Sequence, residues 1–135
     1  SPMRQYGLTK ALNIIHAKEY NKRYASKGVY AVSLHPGGIK TGLQRYNKYL
    51  NLWKQYMPDY ATKSVSQGAA TQVRAAAMSE EEFKQNGGRY FEDCNPANLW
   101  RTDILDDGAN SDELGVLFWN LCETIIMEKG FKMVA

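Results

Sequence analysis

Apolar residues recur at helical spacing near the start of the chain, where Leu8, Ala11, Leu12 and Ile15 make one stripe, while Lys18, Asn21, Lys22 and Arg23 make the far end polar. The pattern predicts a helix from Gln5 to about Tyr24, closed near Gly28. Val29 to Leu34 is a short, mostly apolar run with β-branched and aromatic residues, the character of a strand buried on both faces of a parallel sheet. His35-Pro36-Gly37-Gly38 is predicted as loop, because a proline and two glycines do not continue a central strand. Helix, glycine, buried strand and loop in that order predict α/β architecture. The same breaks argue against an independent α-helical binding module, which would need residues 29–34 to be helical.

From Gly42 to about Tyr60, aromatic and aliphatic residues (Tyr46, Tyr49, Leu50, Trp53, Tyr56) crowd among polar ones, with Pro58 as a stop. One or two short helices are expected there, their apolar face serving either as core packing or as the wall of an apolar substrate pocket. Ser64 to Ser79 predicts a clearer helix with Val65, Ala69, Val73 and Ala76 on one stripe, suited to an interface or to packing on a sheet. Gly87-Gly88 predicts a turn, Arg89-Tyr90-Phe91 a short strand, and Asn95-Pro96 through Asp106-Asp107-Gly108 an irregular stretch. The last helix is predicted from Ser111 as N-cap, with Leu114, Leu117, Phe118, Leu121 and Ile125 inward. About four helices and two short strands result, and a buried parallel strand needs neighbours on both sides. An uncovered sheet edge and bare helix faces are therefore expected, either an aggregation liability or a dimerisation surface.

Composition narrows the class. A length of 135 residues supports one core, and 44% apolar with 23% charged residues is a globular balance. Seventeen basic against fourteen acidic residues leave a charge of +3 with no block of like charge, so no nucleic-acid footprint is expected. Cys94 and Cys122 follow no metal or disulfide spacing and are expected as buried or half-buried free thiols. No apolar run approaches the roughly 20 residues of a membrane span, and no signal-peptide pattern opens the sequence, so a soluble, intracellular protein of the cytoplasm is expected. The chain opens Ser1-Pro2-Met3-Arg4, without methionine at position 1. Truncation is the expected reason, with Met3 as initiator after a cloning scar the alternative.

Tyr6 and Lys10 stand four residues apart at the start of a helix, so both project from one face. An ammonium beside a phenol favours the phenolate, drawing its pKa down from about 10 toward the range where tyrosine serves as general acid/base. Other candidates are weaker. His16 has no second histidine at ligand spacing and His35 precedes a proline, so no metal site is expected, although His35 is a candidate to line the pocket. Asp93, Asp103, Asp106, Asp107 and Asp112 match no calcium-loop spacing and are read as solvated.

Tyr6-Gly7-Leu8-Thr9-Lys10, then Ala11-Leu12-Asn13, a helix, Gly28, a buried strand and His35-Pro36-Gly37-Gly38-Ile39-Lys40-Thr41 together resemble the short-chain dehydrogenase/reductase family. The resemblance implies the C-terminal half of a Rossmann-type, doubly wound parallel sheet, incomplete without an upstream half. It implies that Tyr6, of a YxxxK motif, moves the proton at the substrate oxygen, while Lys10 lowers its pKa and holds the nicotinamide ribose. Pro36, Gly37, Ile39 and Thr41 would meet the nicotinamide of NAD or NADP, and His35, Tyr46 and Trp53 would line the substrate pocket. The implied division of the single domain is residues 1–41 for catalytic helix, strand and loop, 42–63 for a substrate lid, and 64–135 for interface helix and C-terminal segment. Arg89-Tyr90-Phe91-Glu92-Asp93-Cys94 and Leu117-Phe118-Trp119-Asn120-Leu121 resemble the retinol-dehydrogenase-like and WW-domain-oxidoreductase-like branch.

The family's phosphate-cradling glycine turn, its coenzyme-selecting residue, its central asparagine and its catalytic serine all precede the YxxxK motif, and only five residues precede Tyr6. The expected function is thus that of an oxidoreductase fragment interconverting an alcohol with an aldehyde or ketone, inactive as 135 residues alone and forming a homo-oligomer. The alternative is a non-catalytic remnant acting through dimerisation or binding to another chain.

Overall fold

A computed structural model describes residues 2–39, 62–99 and 109–131 of the 135-residue chain. Helix α1 spans Pro2–Tyr24 and tightens into a 3-10 turn, Ala25–Lys27. Gly28 closes it in the left-handed conformation (φ 76°), its N–H donating to the Ala25 carbonyl at 3.0 Å, where the spacing predicts a stop.

Strand β1 is Ser33–His35, so ladder pairing begins four residues later than the run from Val29 predicts. The partner strand β2, Tyr90–Glu92, sets that limit. It runs parallel, in register Ser33↔Tyr90, Leu34↔Phe91 and His35↔Glu92, and emerges from the Gly87-Gly88 turn only at that level. Earlier residues are bound singly, the Gly88 N–H donating to the Ala31 carbonyl at 2.7 Å, and Val29 is exposed. Strand β3, Asn95–Pro96, falls in the stretch predicted irregular and pairs antiparallel with β2 through Glu92↔Asn95 and Phe91↔Pro96. Its two-residue turn, Asp93 (φ 51°) and Cys94 (φ 66°), takes the double left-handed conformation that matches hairpin twist. Pro96 is tolerable on such an edge because it has no ladder N–H to lose. The order β1-β2-β3 makes a small mixed sheet with β1 at one edge.

Helix α2, Val65–Ala76, starts at a reciprocal cap: the Ser64 hydroxyl accepts from the Gln67 N–H and the Gln67 side chain accepts from the Ser64 N–H. Its buried face is Gly68, Thr71 and Ala75. The predicted apolar stripe faces outward instead, with Val65 66% and Val73 64% exposed. Helix α3, Glu80–Asn86, was not expected; the same cap, Ser79 with Glu82, begins it. An Arg74–Glu82 ion pair ties α2 to α3. Phe91, 1% exposed, centres a core with Ala75 and Met78, bordered by Val32, Leu34 and Phe83.

Helix α4, Ala109–Glu128, includes Ser111, which the sequence predicts as N-cap. Its inward residues are Gly115 and Trp119, with Leu114 and Phe118 half-buried, whereas Leu117, Leu121 and Ile125, all predicted inward, are exposed. The reason is its partner. α4 lies antiparallel to α1, pairing His16 with Trp119, Glu19 with Gly115 and Lys22 with Asp112. The Trp119 ring stacks on His16 at 5.3 Å and lies 6.0 Å from Tyr20 and 5.9 Å from Tyr24, burying more surface than an aliphatic stripe offers. A Cβ on Gly115 would stand 3.1 Å from the Glu19 carboxylate, so glycine permits the approach. Glu19, 5% exposed, is satisfied by Arg23 Nε at 2.6 Å, and that guanidinium sits 4.7 Å from the Trp119 ring centre. Among the described residues no helix is long and apolar enough to cross a membrane.

Candidate active site

Tyr6 and Lys10 occupy the exposed first half of α1. Helical rise puts them one turn apart on one face, and the Lys10 ammonium lies 5.3 Å from the Tyr6 ring centre. The Thr9 hydroxyl donates to the Tyr6 carbonyl at 2.8 Å, closing the turn between them. Every described side chain from Arg4 to Lys10 is exposed, so among the described residues nothing covers the pair.

A second group gathers at the end of β1. The Gly37 N–H donates to His35 Nδ1 at 3.1 Å, and Glu92 Oε1 lies 3.8 Å from the same nitrogen. Gly37 itself is left-handed (φ 84°), which L side chains rarely adopt, and a Cβ there would meet Lys63 Nζ at 2.7 Å. The Gly38 carbonyl accepts the Lys63 N–H at 2.8 Å, and Ile39 forms a parallel bridge with Lys63. In this parallel bridge Lys63 bonds through its own N–H to Gly38, the residue before Ile39, so the N–H of Ile39 itself is directed away from Lys63. The Ile39 side chain fills the notch that Gly68 leaves on α2. Lys63 is ion-paired with Asp93, and the next residue of that hairpin is tied inward, the Cys94 N–H donating to the buried Thr71 hydroxyl at 3.3 Å. Nearby, burial first and then the Glu92 charge push the Tyr90 phenol above its ordinary pKa.

The two groups sit on α1 and at the end of β1, elements that pack against each other. The chain reverses at Gly28, the Val29 N–H bonding back to the Tyr24 carbonyl, and Gly88, which is bonded to Ala31, packs against the Lys18 backbone. Ala31 is thus level with Lys18. Beside Gly38, no described atom lies within 4 Å of where a Cβ would stand. The loop backbone could hold a planar amide-bearing group.

Pro36, Gly37 and Ile39 therefore belong to one loop, with His35, expected in that loop, instead ending β1 because it pairs with Glu92, while Thr41, Tyr46 and Trp53, with residues 42–61 of the expected lid, lie outside the described residues. Asp93, expected as solvated, is partnered by Lys63. Lys63 and Gly68 were not anticipated, since an ion pair 30 residues apart leaves no spacing signature. Both cysteines are free and half-buried as expected, and His16 is a packing residue against Trp119. Among the described residues no group of three His, Cys, Asp or Glu gathers to hold a metal.

Several curated proteins are similar to this chain. The chain is 44% identical over 100 residues to the short-chain dehydrogenase/reductase prx1 of Penicillium roqueforti, covering 71% of this chain and 28% of that protein. It is 32% identical over 123 residues to retinol dehydrogenase 12 of Mus musculus, covering 89% of this chain and 35% of the relative. The chain belongs to the short-chain dehydrogenase/reductase family. A third member, the WW domain-containing oxidoreductase of Homo sapiens, is 31% identical over 132 residues, 94% of this chain and 29% of its own length. The chain thus spans about a third or less of these short-chain dehydrogenases/reductases. No family model and no solved structure matches it.

Proposed function

We propose that this chain is the C-terminal, substrate-facing part of an oxidoreductase that interconverts an alcohol with an aldehyde or ketone. The observation that carries the reading is the exposed Tyr6 and Lys10 pair, one turn apart on α1 with the ammonium 5.3 Å from the phenol ring centre, with the tethered Pro36–Ile39 loop as a separate feature. Tyr6 gives or takes the proton at the substrate oxygen. Lys10 places positive charge beside the ring on which negative charge develops, and reaches the ribose of the dinucleotide. A bound NAD or NADP supplies or accepts the hydride. The Ile39 amide and Thr41 orient its nicotinamide end, while His35, Tyr46 and Trp53 face the substrate.

In this reading residues 1–41 are the catalytic segment, 42–63 the lid and 64–135 the interface and C-terminal segment of one Rossmann-type domain, whose upstream half pairs with the open edge of β1 and carries the phosphate cradle. A second copy covers the outward Val65 and Val73 face of α2. The test is to supply the protein at its natural length with oxidised NAD or NADP and a panel of primary and secondary alcohols, following reduced nicotinamide by absorbance. Turnover is expected with at least one pair, and none across the panel, in either direction, overturns the proposal.

A further inference from the structure

The loop after β1 is held by one residue that no motif marks. Lys63 touches it at three places: its side chain lies across the Cα of left-handed Gly37, its N–H binds the Gly38 carbonyl, and its backbone bridges Ile39. Both ends of Lys63 are fixed. Its backbone immediately precedes Ser64, the N-cap of α2, and its ammonium is ion-paired with Asp93 in a hairpin turn anchored to buried Thr71. We propose that Lys63, braced by Asp93, is a positioning residue that aims the Ile39 amide at the nicotinamide end of the dinucleotide; the inference rests on the dehydrogenase reading.

Three features separate this role from plain scaffolding. The Asp93 side chain is 68% exposed, and ion pairs so exposed contribute little to folding. The alkyl stem needs a residue without Cβ beneath it, and Gly37 is that residue. The contacts converge on residues 37–39, the segment before the proposed nicotinamide contact at Thr41. A loop freed from this brace keeps its fold but samples orientations of the Ile39 amide, and small misplacements of a positioning group weaken a ligand far more than they weaken a fold.

The experiment compares two ligands of the natural-length protein, reduced nicotinamide dinucleotide and ADP-ribose, which lacks the nicotinamide. Lys63→Met keeps the stem and removes the charge; Asp93→Asn removes its partner; Lys63→Arg restores a cation. Lys63→Met and Asp93→Asn should each weaken the dinucleotide about tenfold while leaving ADP-ribose within about twofold, and Lys63→Arg should bind as wild type. Equal weakening of both ligands in the variants, or no weakening of either, overturns the positioning role. Wild-type protein that binds neither ligand overturns the dehydrogenase reading itself and this inference with it.

Discussion

The two halves of α1 differ in what they touch. From Ile15 to Tyr24 the helix is walled by Trp119, Gly115 and the Gly87-Gly88 turn, with even a carboxylate, Glu19, buried and paired. From Arg4 to Lys10 every described side chain is exposed. One continuous hydrogen-bonded rod therefore carries a packed end and an exposed end. Rigidity made in the buried half is delivered to Tyr6 and Lys10, which would keep the proposed proton-transfer pair fixed.

That contrast can be broken from either end. The largest stability effect is expected from Trp119→Ala, which removes the ring joining His16, Tyr20, Tyr24 and Arg23. It should cost about 3–5 kcal/mol, read by chemical denaturation. At the exposed half, Lys10→Met should lower kcat about a hundredfold, equivalent to about 2.7 kcal/mol of barrier, with the thermal midpoint unchanged. Arg23→Ala, between these extremes in burial, leaves the Glu19 carboxylate without its partner and should cost about 1–2 kcal/mol of stability with little change in kcat.

The smallest effect lies far from α1. The Ser79 amide first, and then the Arg74 guanidinium, hold the Glu82 carboxyl below its ordinary range. A carboxyl lowered in the folded state stabilises it above the unfolded value and loses that contribution as pH falls through the lower folded value. Stability should therefore sag slightly below about pH 4.5, and Arg74→Gln should flatten part of that sag in a melting series.

Elements whose signals are local were legible in the sequence: α1, its stop at Gly28 and the break at Pro36-Gly37. Which face of a helix turns inward was not. On α4 the aliphatic stripe suggested the buried side and on α2 it left interface or sheet packing open, yet the close approaches are made by Gly68 against Ile39 and Gly115 against Glu19, residues that hydropathy counts as neutral. Helix α3 was overlooked because seven residues give too short a period, although Ser79 and Glu82 mark its start. Within the site, Tyr6, Lys10 and the loop were visible through motif spacing. Lys63 and Asp93 were not, since only the fold brings them together.

The central claim is that Tyr6 moves the proton, and Tyr6→Phe in the natural-length protein tests it most directly, with kcat and thermal midpoint measured on the same preparation. A fall in kcat of at least about a hundredfold with an unchanged midpoint is the expected result. Undiminished turnover would contradict it, leaving the exposed half of α1 without the chemistry assigned to it.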